Sequence, residues 1–229
     1  MDFLNQDVKE KTNFIFVGEA GSGKSEIAIN FAKYLSSLED KECHLFDMDM
    51  TKTLFRSRDL NIEIEKMKIK FHYEEQFMDA PTLVGGVNRF LRDDNSYVVL
   101  DVGGDYIGAR SIGGFAPQLN KENTVVYYIL NAYRPWSYSM ENIDKTLGQI
   151  LGVSHIHLDR LRFISNPNLG QSTTVSDVIN GNKRILEITS SYIKFDFMCV
   201  KEELHEAVQK QVEIPVMPIK IYLTYSEIR

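Results

Sequence analysis

The run Phe14-Ile15-Phe16-Val17 passes straight into Gly18-Glu19-Ala20-Gly21-Ser22-Gly23-Lys24-Ser25, and beyond it Ile27, Ala28, Phe31 and Leu35 recur at helical spacing. A buried strand, a glycine-rich turn and an amphipathic helix in that order make a cradle for anionic oxygens. Glycines at 18, 21 and 23 let successive backbone N–H groups turn inward, and the helix that follows adds the positive end of its dipole. The order fits G-x-x-x-x-G-K-[ST]. In that pattern Lys24 reaches the β and γ phosphates of a nucleotide and the Ser25 hydroxyl ligates Mg²⁺, with the loop from Gly18 to Ser25, and Glu26 at the helix start, around the phosphates. A glycine-rich turn without a ligand is the plain alternative, and the consecutive Gly-Lys-Ser weighs against it.

What surrounds the loop is bounded by composition. With 229 residues, 43% of them apolar, the chain can bury one substantial core, and 1–229 reads as a single nucleotide-binding domain. A formal charge of -6 without a cluster of Lys and Arg argues against a nucleic-acid partner. Cys43 and Cys199 lie far apart in apolar surroundings, so neither a disulfide framework nor a C-x-x-C motif is present. The first residues lack an apolar signal core, and no apolar run reaches the roughly eighteen residues of a membrane span. The expected compartment is the cytoplasm, with no membrane partner.

Along the chain, strand and helix patterns alternate. Strands are expected at Phe14 to Val17, Cys43 to Phe46, Tyr97 to Leu100, Thr124 to Leu130, Leu161 to Ser165 and Ile193 to Val200. Asp79-Ala80-Pro81 signals a helix start, with Leu83, Val84, Val87, Phe90 and Leu91 as its buried stripe. Met140, Ile143, Leu147, Ile150 and Leu151 carry helical spacing, as do Val200, Leu204, Val208 and Val212. Residues 61 to 71 alternate charged and apolar side chains and fit either a surface hairpin or a helix. Short apolar strands between helices predict an α/β fold: a doubly wound, mostly parallel sheet with helices on both faces.

In such a sheet a ligand sits beyond the C-terminal strand ends. There the sequence places the loop itself, then Asp47 and Asp49, then Asp101 with Gly103 and Gly104, then Asn131 and Asn166. A magnesium-bound triphosphate needs carboxylates for the metal, an acidic group near an attacking water and an amide close to the γ-phosphate.

The order P-loop, Asp-x-Asp at the second strand end and Asp-x-x-Gly at Asp101 to Gly104 resembles the P-loop ATPases that include septum-site and plasmid-partition proteins, the nitrogenase iron protein and the cobyrinate amidotransferases. The resemblance implies that Asp49 orients or activates the attacking water, making Lys24 and Asp49 the catalytic pair. It implies that Asp47 supports the magnesium held by Ser25, that Asp101 holds a magnesium-bound water, and that the Gly104 amide senses the γ-phosphate. Asn166 resembles the strand-end asparagine that contacts the adenine edge. Partition-type relatives carry a signature lysine after the first loop glycine; Glu19 stands there, so a lysine crossing between two copies is not expected. Arg56 and Arg58 are candidates for an arginine finger in its place, set against solvated surface arginines.

Adenine is favoured over guanine. Asn120-Lys121-Glu122-Asn123 approaches the guanine-reading Asn-Lys-x-Asp but lacks the aspartate and precedes a strand. Three functions follow. The first is a Mg²⁺-dependent ATP-binding protein and slow ATPase, acting as a nucleotide-gated switch for a partner protein, a nucleotide-dependent homodimer being one form of that pairing. The second is an ATP-dependent phosphoryl-transfer or ligation enzyme of the dethiobiotin synthetase type. The third is a non-hydrolysing nucleotide-binding module in cofactor or metal-centre maturation.

Overall fold

Every residue of the first strand is buried, which requires packed layers on both of its faces, and the sheet supplies them. The computed structural model describes residues 4, 9–49, 61–72, 86–190 and 192–223. The chain runs β1 (Asn13–Val17), α1 (Lys24–Ser37), β2 (Glu42–Met48), α2 (Asn61–Lys66), β3 (Ile69–His72), α3 (Val87–Phe90), β4 (Ser96–Val102), α4 (Tyr106–Ser111), α5 (Ala116–Leu119) and β5 (Thr124–Leu130). It continues through α6 (Met140–Ser154), β6 (Leu161–Ser165), α7 (Val175–Thr189), β7 (Phe195–Lys201), α8 (His205–Gln209) and β8 (Val216–Ile219). Arg56, Arg58 and the helix start at Asp79-Ala80-Pro81 lie outside the described residues.

The eight strands form one sheet in the order β3-β2-β4-β1-β5-β6-β7-β8, and each neighbouring pair is parallel. The chain steps outward from β1 to β2 and β3, returns to β4 beside β1, then moves to β5 and on to β8. The order therefore reverses around β1, opening a crevice at the C-terminal ends of β4, β1 and β5. Alternation along β1 splits its side chains between two cores. Phe14 and Phe16 join Ile27, Phe31 and Leu35 of α1 with Tyr127, while Ile15 and Val17 join Leu100, Tyr128 and Ile143 on the other face. Phe31 is the hub of the first layer, its ring centroid 4.9 Å from Phe14 and 5.3 Å from Phe16. Full burial of such a ring stabilises the fold by about 1.5–3 kcal/mol, which holds α1, and so the loop before it, against the sheet.

Some elements differ from the sequence expectation. Residues 61 to 71 hold a short helix and then an edge strand, α2 and β3. The stripe at Val200, Leu204, Val208 and Val212 is not one helix: β7 runs to Lys201, a 3₁₀ turn covers Glu202–Leu204, and α8 has five residues with Val208 as its buried one. Among the described residues no helix is long and apolar enough to cross a membrane.

At the sheet edge, His44 of β2 and His72 of β3 face each other with Nδ1 to Nε2 at 2.9 Å, and His44 Nε2 lies 3.1 Å from Glu42 Oε2. In the tautomers that satisfy both contacts, His72 donates to His44 and His44 donates to Glu42. Burial among Phe46 and Phe90 lowers both imidazole pKa values; at His72 the neighbouring ring adds to that, and at His44 Glu42 opposes it. The fold thus favours neutral rings. Above the ordinary value of 6.5 neither state is charged, and below it the unfolded chain takes up protons that the folded pair resists, so stability falls with falling pH. Urea midpoints taken at about pH 7.5 and 5.5 should show this loss, and His72→Phe should reduce the difference between them; an equally steep loss in the variant would assign it to other groups.

Candidate functional site

The turn between β1 and α1 is held open by contacts on its outer side. Gly18, Gly21 and Gly23 have φ of 140°, 75° and 97°, and Gly23 in the left-handed region serves as N-cap of α1. Three carbonyls of the turn, those of Glu19, Gly21 and Ser22, each find a donor. Glu19 O accepts from Ser22 N at 3.1 Å and from Lys24 Nζ at 3.1 Å, Gly21 O accepts from Arg134 Nε at 2.9 Å, and Ser22 O accepts from Asn166 Nδ2 at 2.7 Å. A Cβ on Gly23 would collide with Asn166 Nδ2, so the glycine is what lets the asparagine reach the turn.

The acidic strand ends converge on the same place. Asp47 of β2 and Asp101 of β4 are register partners, and Asp101 also lies beside Phe16 of β1. Their side chains therefore share a face, next to the start of α1. Asp47 Oδ1 accepts from Asp49 N at 3.0 Å, and the Asp49 carboxylate lies over Gly103, where an added Cβ would be 3.3 Å from Asp49 Oδ1. Lys24, Ser25, Asp47, Asp49 and Asp101 are all buried. Gly104 closes this side: a Cβ there would stand 2.7 Å from both Ala20 N and Lys24 Nζ. Asp105 then caps α4, its Oδ1 accepting from Gly108 N at 2.8 Å.

Glu19, in the position of the missing lysine, is half-buried. Burial raises its carboxyl pKa, Asp105 adds to the rise, and the Lys24 charge and the Ala20 N–H oppose it. Glu26 does not turn its carboxylate to the loop; both oxygens accept from backbone amides of residues 222 and 223. Beyond the turn a small cleft, about 50 Å³, is lined by Gly21, Gly23, Asn131, Arg134, Asn166 and Ile219, among others. Asn166 is 2% exposed, and its Oδ1 has no hydrogen-bond partner. Asn131 is tied down by donating to Asn168 O at 2.9 Å and accepting from Tyr133 N at 3.0 Å.

Sequence reasoning did not single out Arg134, although an arginine just past the β5 end was a legible signal. Nor did it find α7, whose capping box of Thr174 and Asp177 is written in the sequence and whose Asp177 O accepts from Tyr133 at 2.5 Å. The oxygen donors Ser25, Asp47 and Asp101 suit a hard cation such as Mg²⁺, which takes few protein ligands and completes its shell with water and phosphate. Among the described residues no three His, Cys, Asp or Glu side chains form a ready-made metal cage.

Residues 14–163 match the CobQ/CobB/MinD/ParA nucleotide binding domain family. No curated protein matches the chain by sequence. Among solved structures, the signal recognition particle 54 kDa protein of Aeropyrum pernix K1 in complex with GDP superposes with a TM-score of 0.52 at 15% identity, over 82% of this chain and 41% of that one. The cell division protein FtsY of Thermotoga maritima gives 0.51 at 13% identity, over 84% and 62%. The signal recognition particle receptor FtsY of Elizabethkingia anophelis in complex with GDP gives 0.50 at 14%, over 84% and 58%. The chain thus spans about two-fifths to three-fifths of the length of these proteins, and the likeness is one of fold.

The left-handed φ at Gly23 and the Asn166 contact make this position the most sensitive in the turn. Gly23→Ala should cost about 1–3 kcal/mol of stability through backbone strain, with further loss from displacing Asn166. A urea midpoint equal to that of the unaltered chain would show that the turn relaxes freely.

Proposed function

The chain belongs to the CobQ/CobB/MinD/ParA nucleotide binding domain family, and we propose that it is a Mg²⁺-dependent ATP-binding switch with slow ATPase turnover. The observation that carries this reading is the position of Gly104. A Cβ on Gly104 would stand 2.7 Å from Ala20 N and from Lys24 Nζ, two donors that a γ-phosphate would claim, so this residue borders the γ-phosphate side of the loop. In this reading a triphosphate in the loop displaces Gly104, whereas a diphosphate leaves it in place. The displacement passes to Asp105 and α4, where Tyr106 and Ile107 are 56% and 49% exposed and stand ready for a partner protein, a second copy of the chain being one candidate.

In this reading Lys24 neutralises charge on the phosphates, and the amides of Gly18 to Ser25 and of Glu26 surround them. Ser25 Oγ would ligate Mg²⁺, with Asp47 and Asp101 holding its waters, and the ion would screen the buried carboxylates and the phosphate oxygens. Asp49, fixed by its amide on Asp47, is the group placed to orient the attacking water. Adenine is preferred to guanine because Asn166 Oδ1 can accept from the exocyclic amine of adenine. The carboxylate in the cleft wall, that of Glu26, is engaged by backbone amides and is not offered to the N1–H of guanine. Two of the structural neighbours hold GDP, so the base preference requires a direct test.

Calorimetry should show ATP binding about tenfold or more tighter than GTP, and equal affinities would remove Asn166 as a base reader. Lys24→Ala should abolish turnover and weaken ATP binding, and Asp49→Asn should keep binding while slowing hydrolysis by about 10²-fold or more. Gly104→Ala is the discriminating variant. Its added methyl should weaken ATP more than ADP by about tenfold, and an equal effect on the two nucleotides would show that this segment does not sense the γ-phosphate.

A further inference from the structure

The segment that follows β8 is bound side-on to α1 by side chains rather than by a strand ladder. Glu26 Oε2 accepts from Tyr222 N at 2.9 Å and its Oε1 accepts from Leu223 N at 2.6 Å. One helical turn further on, Asn30 donates to Lys220 O at 2.8 Å and accepts from Lys220 N at 2.9 Å. Four bonds thus fix the backbone at residues 220, 222 and 223 of the segment, two of them to a carboxylate and so stronger than ordinary neutral contacts. Glu26, Tyr222 and Leu223 are buried, so the two carboxylate bonds are shielded from water, while the Asn30 bonds to Lys220 are partly buried. Lys220 points outward and pairs with Glu63 at 3.1 Å.

The inner side of the same segment faces the cleft. Ile219 and Ile221 line it together with Asn131 and Asn166 and with Gly21 and Gly23 of the phosphate turn. Apolar side chains and amides in one cleft beside that turn suit a flat heteroaromatic ring with polar edges. Glu26 is the residue directly after Ser25, so the anchor of the wall and the start of the phosphate-binding helix are one piece of backbone.

We infer that Ile219–Leu223 is the wall on which the nucleobase rests, with Glu26 and Asn30 as positioning residues that hold it to α1. This rests on the nucleotide reading above and deepens it: filling the base side and docking the segment are reciprocal events. Phosphate binding by the turn is independent of the wall.

Three probes separate these effects in the full chain: ATP, adenosine and inorganic tripolyphosphate. Glu26→Gln places a donor against a backbone N–H, and Asn30→Ala removes both bonds to Lys220. Each should weaken ATP and adenosine by a similar factor, on the order of 5- to 20-fold, and leave tripolyphosphate unchanged. Glu63→Gln, on the outer side, should change none of them. Unaltered affinity for ATP and adenosine in folded Glu26→Gln protein, with only a lower melting temperature, would overturn the inference, because a merely structural anchor does that. Hydrogen exchange on the unaltered chain gives a test free of folding defects. Adenosine or ATP should slow exchange at the Tyr222 and Leu223 amides several-fold, and no change would equally overturn it. Lys24→Ala should lose tripolyphosphate yet keep the adenosine-induced protection, so failure of the phosphate reading and failure of the wall are seen in different measurements.

Discussion

A loop whose amides are to meet phosphate must have its carbonyls held from behind, and that requirement organises the centre of this molecule. The carbonyls of residues 19, 21 and 22 are taken by Ser22 N and Lys24 Nζ, by Arg134 Nε and by Asn166 Nδ2. The Ser22 carbonyl is bonded in a buried setting, where leaving it without a donor would cost about 1–3 kcal/mol. Arg134 comes from beyond β5 and Asn166 from the end of β6, so the phosphate turn keeps its form only with β5 beside β1 and β6 beside β5, as observed.

The sheet meets that demand because it is parallel and two-sided. All strands point their C-terminal ends the same way, so one edge of the sheet carries the loop, the aspartates of β2 and β4, and the asparagines beyond β5 and β6. The rings of Phe14, Phe16 and Phe31 lock α1 to that frame from one side, and Ile15 and Val17 meet the second core from the other. Packing at this density transmits displacement instead of absorbing it. In the proposed switch, a shift of Gly104 would travel along the chain into α4.

Local patterns in the sequence carried much of this. Apolar-rich runs led to strands at Thr124–Leu130 and, despite Arg162, at Leu161–Ser165, and the 3.6-residue stripe from Met140 led to the helix Met140–Ser154. The same periodicity misled at Val200, because a strand ending and two short helical turns can present apolar residues four apart by coincidence. β8 escaped notice since Val-Met-Pro-Ile is short and its proline argues against a strand, a cost tolerated on this edge. At the site, the loop and the strand-end aspartates were visible as residue types at fixed spacing. The ties of Arg134 to Gly21 and of Glu26 to residues 222 and 223 were not, because they join segments whose separation in sequence no periodicity encodes.

The bond from Asn166 to Ser22 spans 144 residues, and the cleft beside it also draws on residue 219. The pocket is assembled from three separate parts of the chain, around residues 21–26, 131–170 and 219–221, so a ligand seated in it would recognise the native conformation and ignore the unfolded one. Mass action then adds its binding free energy to the stability of the whole sheet, about 2.7 kcal/mol at a hundredfold excess over the dissociation constant. A nucleotide held there would in effect be one more element of the tertiary structure, its supply setting part of the stability of the fold.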